Sequence, residues 1–259
     1  MIKKYCATFV LSTGRCGTQW LSHVIQKHFA DQVICTHEPI DHAYHGREHL
    51  GHHNIEDFLA KASDALSEHI AYIKEVLLTS DYIETGHTCW SVIQYFQEIF
   101  RGQIKVVWIT RHPMTLAKSW MTHGVYAKPI LPHESEKVFL LPSDKSVAFA
   151  SYQSKWDDMN QIEKILYYWL EVNTHAYRLL RDTDIDHVVV KFEDLFQDEG
   201  MMRILDLADL RYKKELQEDY GKVYDRFSYI SPYTVPSEVE WDENLNAMSK
   251  KLGYNLINN

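Results

Sequence analysis

Five short apolar runs, near residues 6–11, 32–37, 82–85, 104–110 and 187–192, alternate with longer segments of helical periodicity, and that alternation leaves few folds open. A strand, a crossover helix and a further strand build a parallel sheet covered by helices. Helices are read over 18–29, 55–78, 91–101, 113–123, 160–181 and 241–252. Within 160–181, Ile162, Ile165, Leu166, Trp169, Val172, Ala176 and Leu179 recur at helical spacing and define a core-facing stripe. The expected architecture is α/β, one domain over 1–259 with a central, mostly parallel sheet flanked by helices. Ligands of such sheets bind at the carboxyl ends of the strands, which would gather Gly14, Glu38, His87 and Arg111 along one edge.

The first of these strand ends says most about the ligand. Phe9-Val10-Leu11-Ser12-Thr13-Gly14-Arg15-Cys16-Gly17-Thr18-Gln19-Trp20-Leu21 reads as a buried strand passing through a glycine loop into a helix. Gly14 and Gly17 permit a tight turn, and the unpaired amides where the helix begins at Thr18 favour an anion. Only Arg15 and Cys16 separate the glycines and no lysine follows Gly17, so the spacing departs from the loop that binds nucleoside triphosphates. A second run, Lys105-Val106-Val107-Trp108-Ile109-Thr110, delivers Arg111 at its exit, and Pro113 suits a first helical position. Ser119 then lies about 9 Å along that helix, within reach of a guanidinium bending back from Arg111, so that one anion could touch both.

These segments resemble the sulfotransferase family that uses 3′-phosphoadenosine 5′-phosphosulfate (PAPS) as sulfuryl donor, on a P-loop-like fold. Val188-Val189-Val190-Lys191-Phe192-Glu193-Asp194-Leu195 and Leu252-Gly253-Tyr254 extend the resemblance over most of the chain. It implies transfer of a sulfuryl group to a hydroxyl or amine of a small-molecule or carbohydrate acceptor, with adenosine 3′,5′-bisphosphate (PAP) as nucleotide product. It places the 5′-phosphosulfate in the loop of Gly14, Arg15, Cys16, Gly17, Thr18 and Gln19, and the 3′-phosphate on Arg111 and Ser119. Arg15 would act electrostatically, because a guanidinium is a poor proton donor. For the base, Glu38 in His37-Glu38-Pro39 stands first, as in carbohydrate sulfotransferases, and His87 in Thr85-Gly86-His87 stands second, as in the enzymes of small hydroxyl compounds. Thr85 occupies the position where glycosaminoglycan enzymes carry a substrate-facing lysine.

Composition bounds the alternatives. A formal net charge of −9 argues against a nucleic-acid partner, so a polyanionic ligand must be held by local arginines and amides. Cys6, Cys16, Cys35 and Cys89 show no CxxC pairing, which favours a reducing compartment, and neither a signal peptide nor a membrane span is expected, giving a soluble, cytoplasmic protein. Two irregular stretches, 39–54 and 124–158, are assigned to acceptor binding, the second through Tyr126, Phe139, Phe149, Tyr152 and Trp156. His42, His45, His49, His52 and His53 have spacings that could hold a metal, but Gly46 and Gly51 weaken a helix there and sulfuryl transfer needs none, so no metal site is expected. Glu38 could instead pair with Arg47, and Glu193 and Asp194 could bond amides at the next helix start. The rival functions are an ATP- and Mg²⁺-dependent phosphotransferase and an inactive sulfotransferase-like binding module.

Overall fold

The computed structural model describes residues 4–128, 135–222 and 242–255. Five parallel strands, β1 (Ala7–Ser12), β2 (Val33–His37), β3 (Asp81–Thr85), β4 (Ile104–Thr110) and β5 (Asp186–Lys191), form one sheet in the order β2-β3-β1-β4-β5. All six residues of β1 are buried, as a central strand covered on both faces requires. The chain order reverses at β1, so the crevice beyond its carboxyl end is the expected ligand site.

The helices are α1 (Thr18–Phe29), α2 (Ile55–Lys61), α3 (Asp64–Val76), α4 (Ile93–Ile99), α5 (Pro113–Met121), α6 (Gln161–Asp182), α7 (Asp198–Leu207) and α8 (Glu243–Lys251). The stripe read in the long helix is buried, and its start is fixed by a capping box in which Asn160 and Glu163 satisfy each other's amides. The single helix expected over 55–78 is two helices. Ala62 is extended, and Ser63 caps α3 by accepting from the amide of Leu66 at 3.2 Å, so a local side-chain bond overrides continuous helical periodicity. The helix that follows Glu193 and Asp194 is α7, which buries Met201, Ile204 and Leu205 and lies outside the helical ranges read from the sequence.

The C-terminal Leu252-Gly253-Tyr254 closes over the ends of β4 and β5: the Tyr254 hydroxyl bonds Thr110 at 3.0 Å and Glu193 at 3.2 Å. Glu193 accepts from the amide of His112, at the start of α5, rather than from the next helix as expected. The described parts of the 124–158 stretch, 124–128 and 135–158, are anchored to the core. Tyr126 donates to the carbonyl of Leu140 at 2.7 Å, Arg47 pairs with Asp144 at 2.6 Å, and Glu171 on α6 receives the amides of Ala148 and Phe149. Tyr126, Tyr152 and Trp156 are core, Phe149 packs beside them, and Phe139 alone of the five aromatics lines the main cavity described below. Residues 129–134 of this stretch, with Pro129 and Pro132 among them, lie outside the described residues.

Candidate active site

All five strands end at one edge, and there a cavity of about 520 Å³ opens. The loop after β1 enters it through three left-handed residues, Gly14 (φ 73°), Arg15 (φ 53°) and Gly17 (φ 75°). Gly17 begins α1 without a side-chain cap and the first turn carries no acid, so the amides at this helix start keep their capacity for an anion. Indoles pin the surroundings: Trp120 on α5 donates to the carbonyl of Thr13 at 2.9 Å, and Trp169 on α6 donates to that of Arg111 at 3.0 Å.

The cavity collects Arg15, Gly17, Thr18, Gln19, Glu38, His87, Arg111 and Ser119, eight of the ten residues expected at the site. Gly14 lies behind the wall, and the Cys16 side chain is fully buried, donating to the carbonyl of Gly14 at 3.0 Å. Burial pushes its thiol up to about 11, so it stays protonated and inert. Ser119 accepts from Nε of Arg15 at 3.0 Å, while Nη1 of Arg111 donates to the carbonyl of Arg15. Arg111 stacks 4.1 Å above the Phe192 ring, and its Nε is buried without a protein partner. Burial lowers its pKa, yet a guanidinium remains cationic at neutral pH; unspent donors on a buried cation are a demand for an anion.

The same cavity holds a hydrogen-bonded carboxylate–imidazole pair. The imidazole Nδ1 of His87 lies 2.7 Å from Oε1 of Glu38, which also accepts the His87 amide at 3.1 Å. Burial disfavours the Glu38 carboxylate, but bonding to His87 and the charges of His87 and His37 outweigh that and lower its pKa to about 2. Glu38 therefore partners His87, not Arg47. Glu38 (φ 45°), Asp41 (φ 40°) and His45 (φ 46°) are left-handed non-glycines in one short loop, a cost of about 1 kcal/mol or more each that the surroundings must offset. Beneath it, buried Glu84 binds the Tyr44 hydroxyl, Tyr82 at 2.9 Å and His69 at 2.8 Å, tying the 3-10 turn Asp41–Tyr44 to the sheet.

Among the expected histidine group, His49 Nδ1 and His52 Nε2 are 2.8 Å apart and His52 Nδ1 meets Asp57 at 3.0 Å. Burial, with His52 and His45, lowers the His49 pKa to about 4, and no three potential ligands converge as a metal would require among the described residues. The sequence reading missed Lys137, Phe192, Phe196, Trp20, Gly221 and Lys222 as cavity residues. For Lys137 the sole signal was its place in an irregular stretch.

Gly14 carries its own prediction. A Cβ there would meet Cζ2 of Trp120 at 2.4 Å and the His87 ring at 3.0 Å, on a backbone that disfavours side chains. Gly14→Ala should lower unfolding free energy by about 2–4 kcal/mol in a denaturant titration, from backbone strain and displacement of Trp120.

The sulfotransferase domain family matches residues 7–229, and the chain belongs to that family. The sulfotransferase domain of the curacin biosynthetic pathway is similar in structure at a TM-score of 0.57 and 13% identity, over 97% of this chain and 99% of that one. The sulfotransferase domain of the Synechococcus PCC 7002 olefin synthase gives 0.51 and 13%, over 99% and 98%. No curated protein matches the chain in sequence. Among the described residues no helix is long and apolar enough to cross a membrane.

Proposed function

We propose that this sulfotransferase uses PAPS as donor, in a single catalytic domain, and transfers the sulfuryl group to a hydroxyl or amine with His87 as the proton acceptor. The observation that carries the reading is the His87–Glu38 pair, 2.7 Å apart, lining the same cavity as Arg15, Arg111 and Ser119. The residues fit the donor: unspent Arg111 donors and open helix amides suit phosphates, and Phe192, Phe196 and Trp20 offer ring faces for a base. Bound there, PAPS supplies an activated sulfuryl group and leaves as PAP.

Thr18, Gln19 and the amides after Gly17 hold the 5′ end, Arg15 steadies the charge that grows on the bridging oxygen, and Arg111 takes the 3′-phosphate, with Ser119 at its side holding Arg15. Glu38 is ionised at neutral pH and accepts the Nδ1 proton of His87, which fixes the tautomer and leaves Nε2 to take the acceptor's proton as its oxygen or nitrogen attacks sulfur. A carboxyl whose pKa is about 2 is a weak proton acceptor, so Glu38 positions and charge-stabilises His87 instead of serving as the base first expected of it. The 38–48 loop and Phe139 face the acceptor.

Thermal unfolding with PAP, and separately with ATP and Mg²⁺, tests this directly. A ligand at 100 times its dissociation constant stabilises the fold by about 2.7 kcal/mol. Stabilisation by PAP alone is expected; stabilisation by ATP and Mg²⁺ alone would favour the phosphotransferase, and silence from both the non-catalytic module.

A further inference from the structure

We propose that the acceptor carries an acidic group and that Lys137 is its anchor; this rests on the sulfuryl-transfer reading above. Lys137 lines the cavity beside Phe139, Trp120 and His87, with its ammonium 5.8 Å from the Trp120 ring centre and 5.6 Å from that of Phe139. The rings of Trp120 and Phe139 meet edge to face at 4.8 Å, and His87 lies within 5.9 Å of both, so the lysine hangs over an aromatic wall that ends at the proton acceptor.

The other cations at the loop have protein partners that fix them there: Arg15 holds Ser119, and Arg111 holds the carbonyl of Arg15. Lys137 has no ion pair among the described residues. Of the two carboxylates whose fields reach it, Glu38 is bonded to His87 and Asp41 is exposed, and neither forms an ion pair with Lys137 among the described residues, while the charge of Arg15 also acts on it. Desolvation in the cavity works against its charge, so a bound anion would recover what the surroundings withhold.

The room for such a molecule is present. A second chamber of about 200 Å³ adjoins the first through Asp41, His42, His87 and Phe139, and continues to Trp90 and Tyr168. A flat or apolar body can lie along Trp120 and Phe139 with its nucleophile at His87 Nε2 and its acid under Lys137. The class of acceptor is thus a hydroxyl compound bearing a carboxylate, phosphonate or sulfonate, selected against neutral and cationic analogues by one charge.

Calorimetric titration of the PAP-loaded protein with p-cresol, 4-hydroxyphenylacetate and tyramine tests this, because the three share a ring and differ in charge. The acid should bind at least about tenfold more tightly than the other two, the gain of one charge-assisted contact. 4-Hydroxybenzylphosphonate and 4-hydroxybenzenesulfonate identify which acid is preferred. Lys137→Gln should erase the preference while PAP affinity and melting temperature stay as in the parent, and Lys137→Glu should turn the preference toward tyramine. Equal affinities, absence of binding by every acid, or a preference that survives Lys137→Gln overturns the proposal. Failure of PAP itself to bind overturns the donor reading instead, so the two failures are distinguishable.

Discussion

His87→Ala should lower kcat by about 10²–10⁴-fold, the range for loss of a general base, while PAP affinity measured by calorimetry stays within about threefold. The split follows from geometry. His87 lines the cavity and makes no hydrogen bond to Arg15, Arg111 or Ser119, so its loss should remove proton transfer while the loop cations keep their own bonds. Glu38→Gln should cost less, about 10–100-fold, because a glutamine oxygen can still accept from Nδ1 but no longer balances a charged imidazole. The acid limb of kcat/KM decides between the two residues. A base at Glu38 would work down to about pH 2, where its carboxyl protonates. Retention of activity by His87→Ala, or activity persisting to pH 3, would return the role to Glu38. Stability carries the matching sign. A carboxyl with a depressed pKa stabilises the fold above its ordinary range near 4.5, and that contribution is lost as pH falls toward about 2, so Glu38→Gln should flatten acid unfolding in that window.

The Glu38–His87 pair also marks where the sequence stopped being legible. Each residue was visible alone, as the polar exit of an apolar run, because strand ends in a parallel sheet are predictable from one-dimensional alternation. Their partnership depends on β2 pairing with β3 in the register that sets His37 opposite Thr85, with the amide of Glu38 bonded to the carbonyl of Thr85 at 3.0 Å. Register is a tertiary property that neither run encodes by itself. All five strands, and α1 and α5 with their starts at Thr18 and Pro113, were readable for the same local reasons: apolar blocks, glycine punctuation and proline at a first helical position. The break at Ala62–Ser63 was not, because Ser63 reads as an ordinary polar residue of a helix until its hydroxyl is seen to accept the Leu66 amide. Nor could composition sort the aromatics of 124–158. Phe139 turns to the cavity while Tyr126 and Trp156 are buried against each other at 5.6 Å, and alternate facing of this kind is decided by the packing of α6.

Arg111→Ala should weaken PAP binding by more than about tenfold and up to about 100-fold, since a charge-assisted contact to phosphate is worth about 1.5–3 kcal/mol. The donors of Arg111 are only partly used by the protein: Nη1 holds the carbonyl of Arg15, Nε is buried without a partner, and Phe192 beneath fixes the plane of the fork at 4.1 Å. Arg111→Lys should recover little, because a point charge can neither satisfy two phosphate oxygens at once nor stack on Phe192 in the same way. Loss of the bond to Arg15 would also loosen the loop, so the melting temperature of the ligand-free variant must be read beside the affinity. A lower melting temperature with unchanged PAP affinity would make Arg111 a brace for the loop and move the 3′-phosphate elsewhere. Weakened PAP binding with little loss of stability would place the anion on the guanidinium itself. Ser119→Ala supplies the contrast: its hydroxyl accepts from Nε of Arg15, so its removal should act through Arg15 and cost only a few-fold in affinity. If Ser119→Ala instead equalled Arg111→Ala, the two residues would be gripping one phosphate together, and the bond from Arg15 to Ser119 would be what the donor displaces on binding.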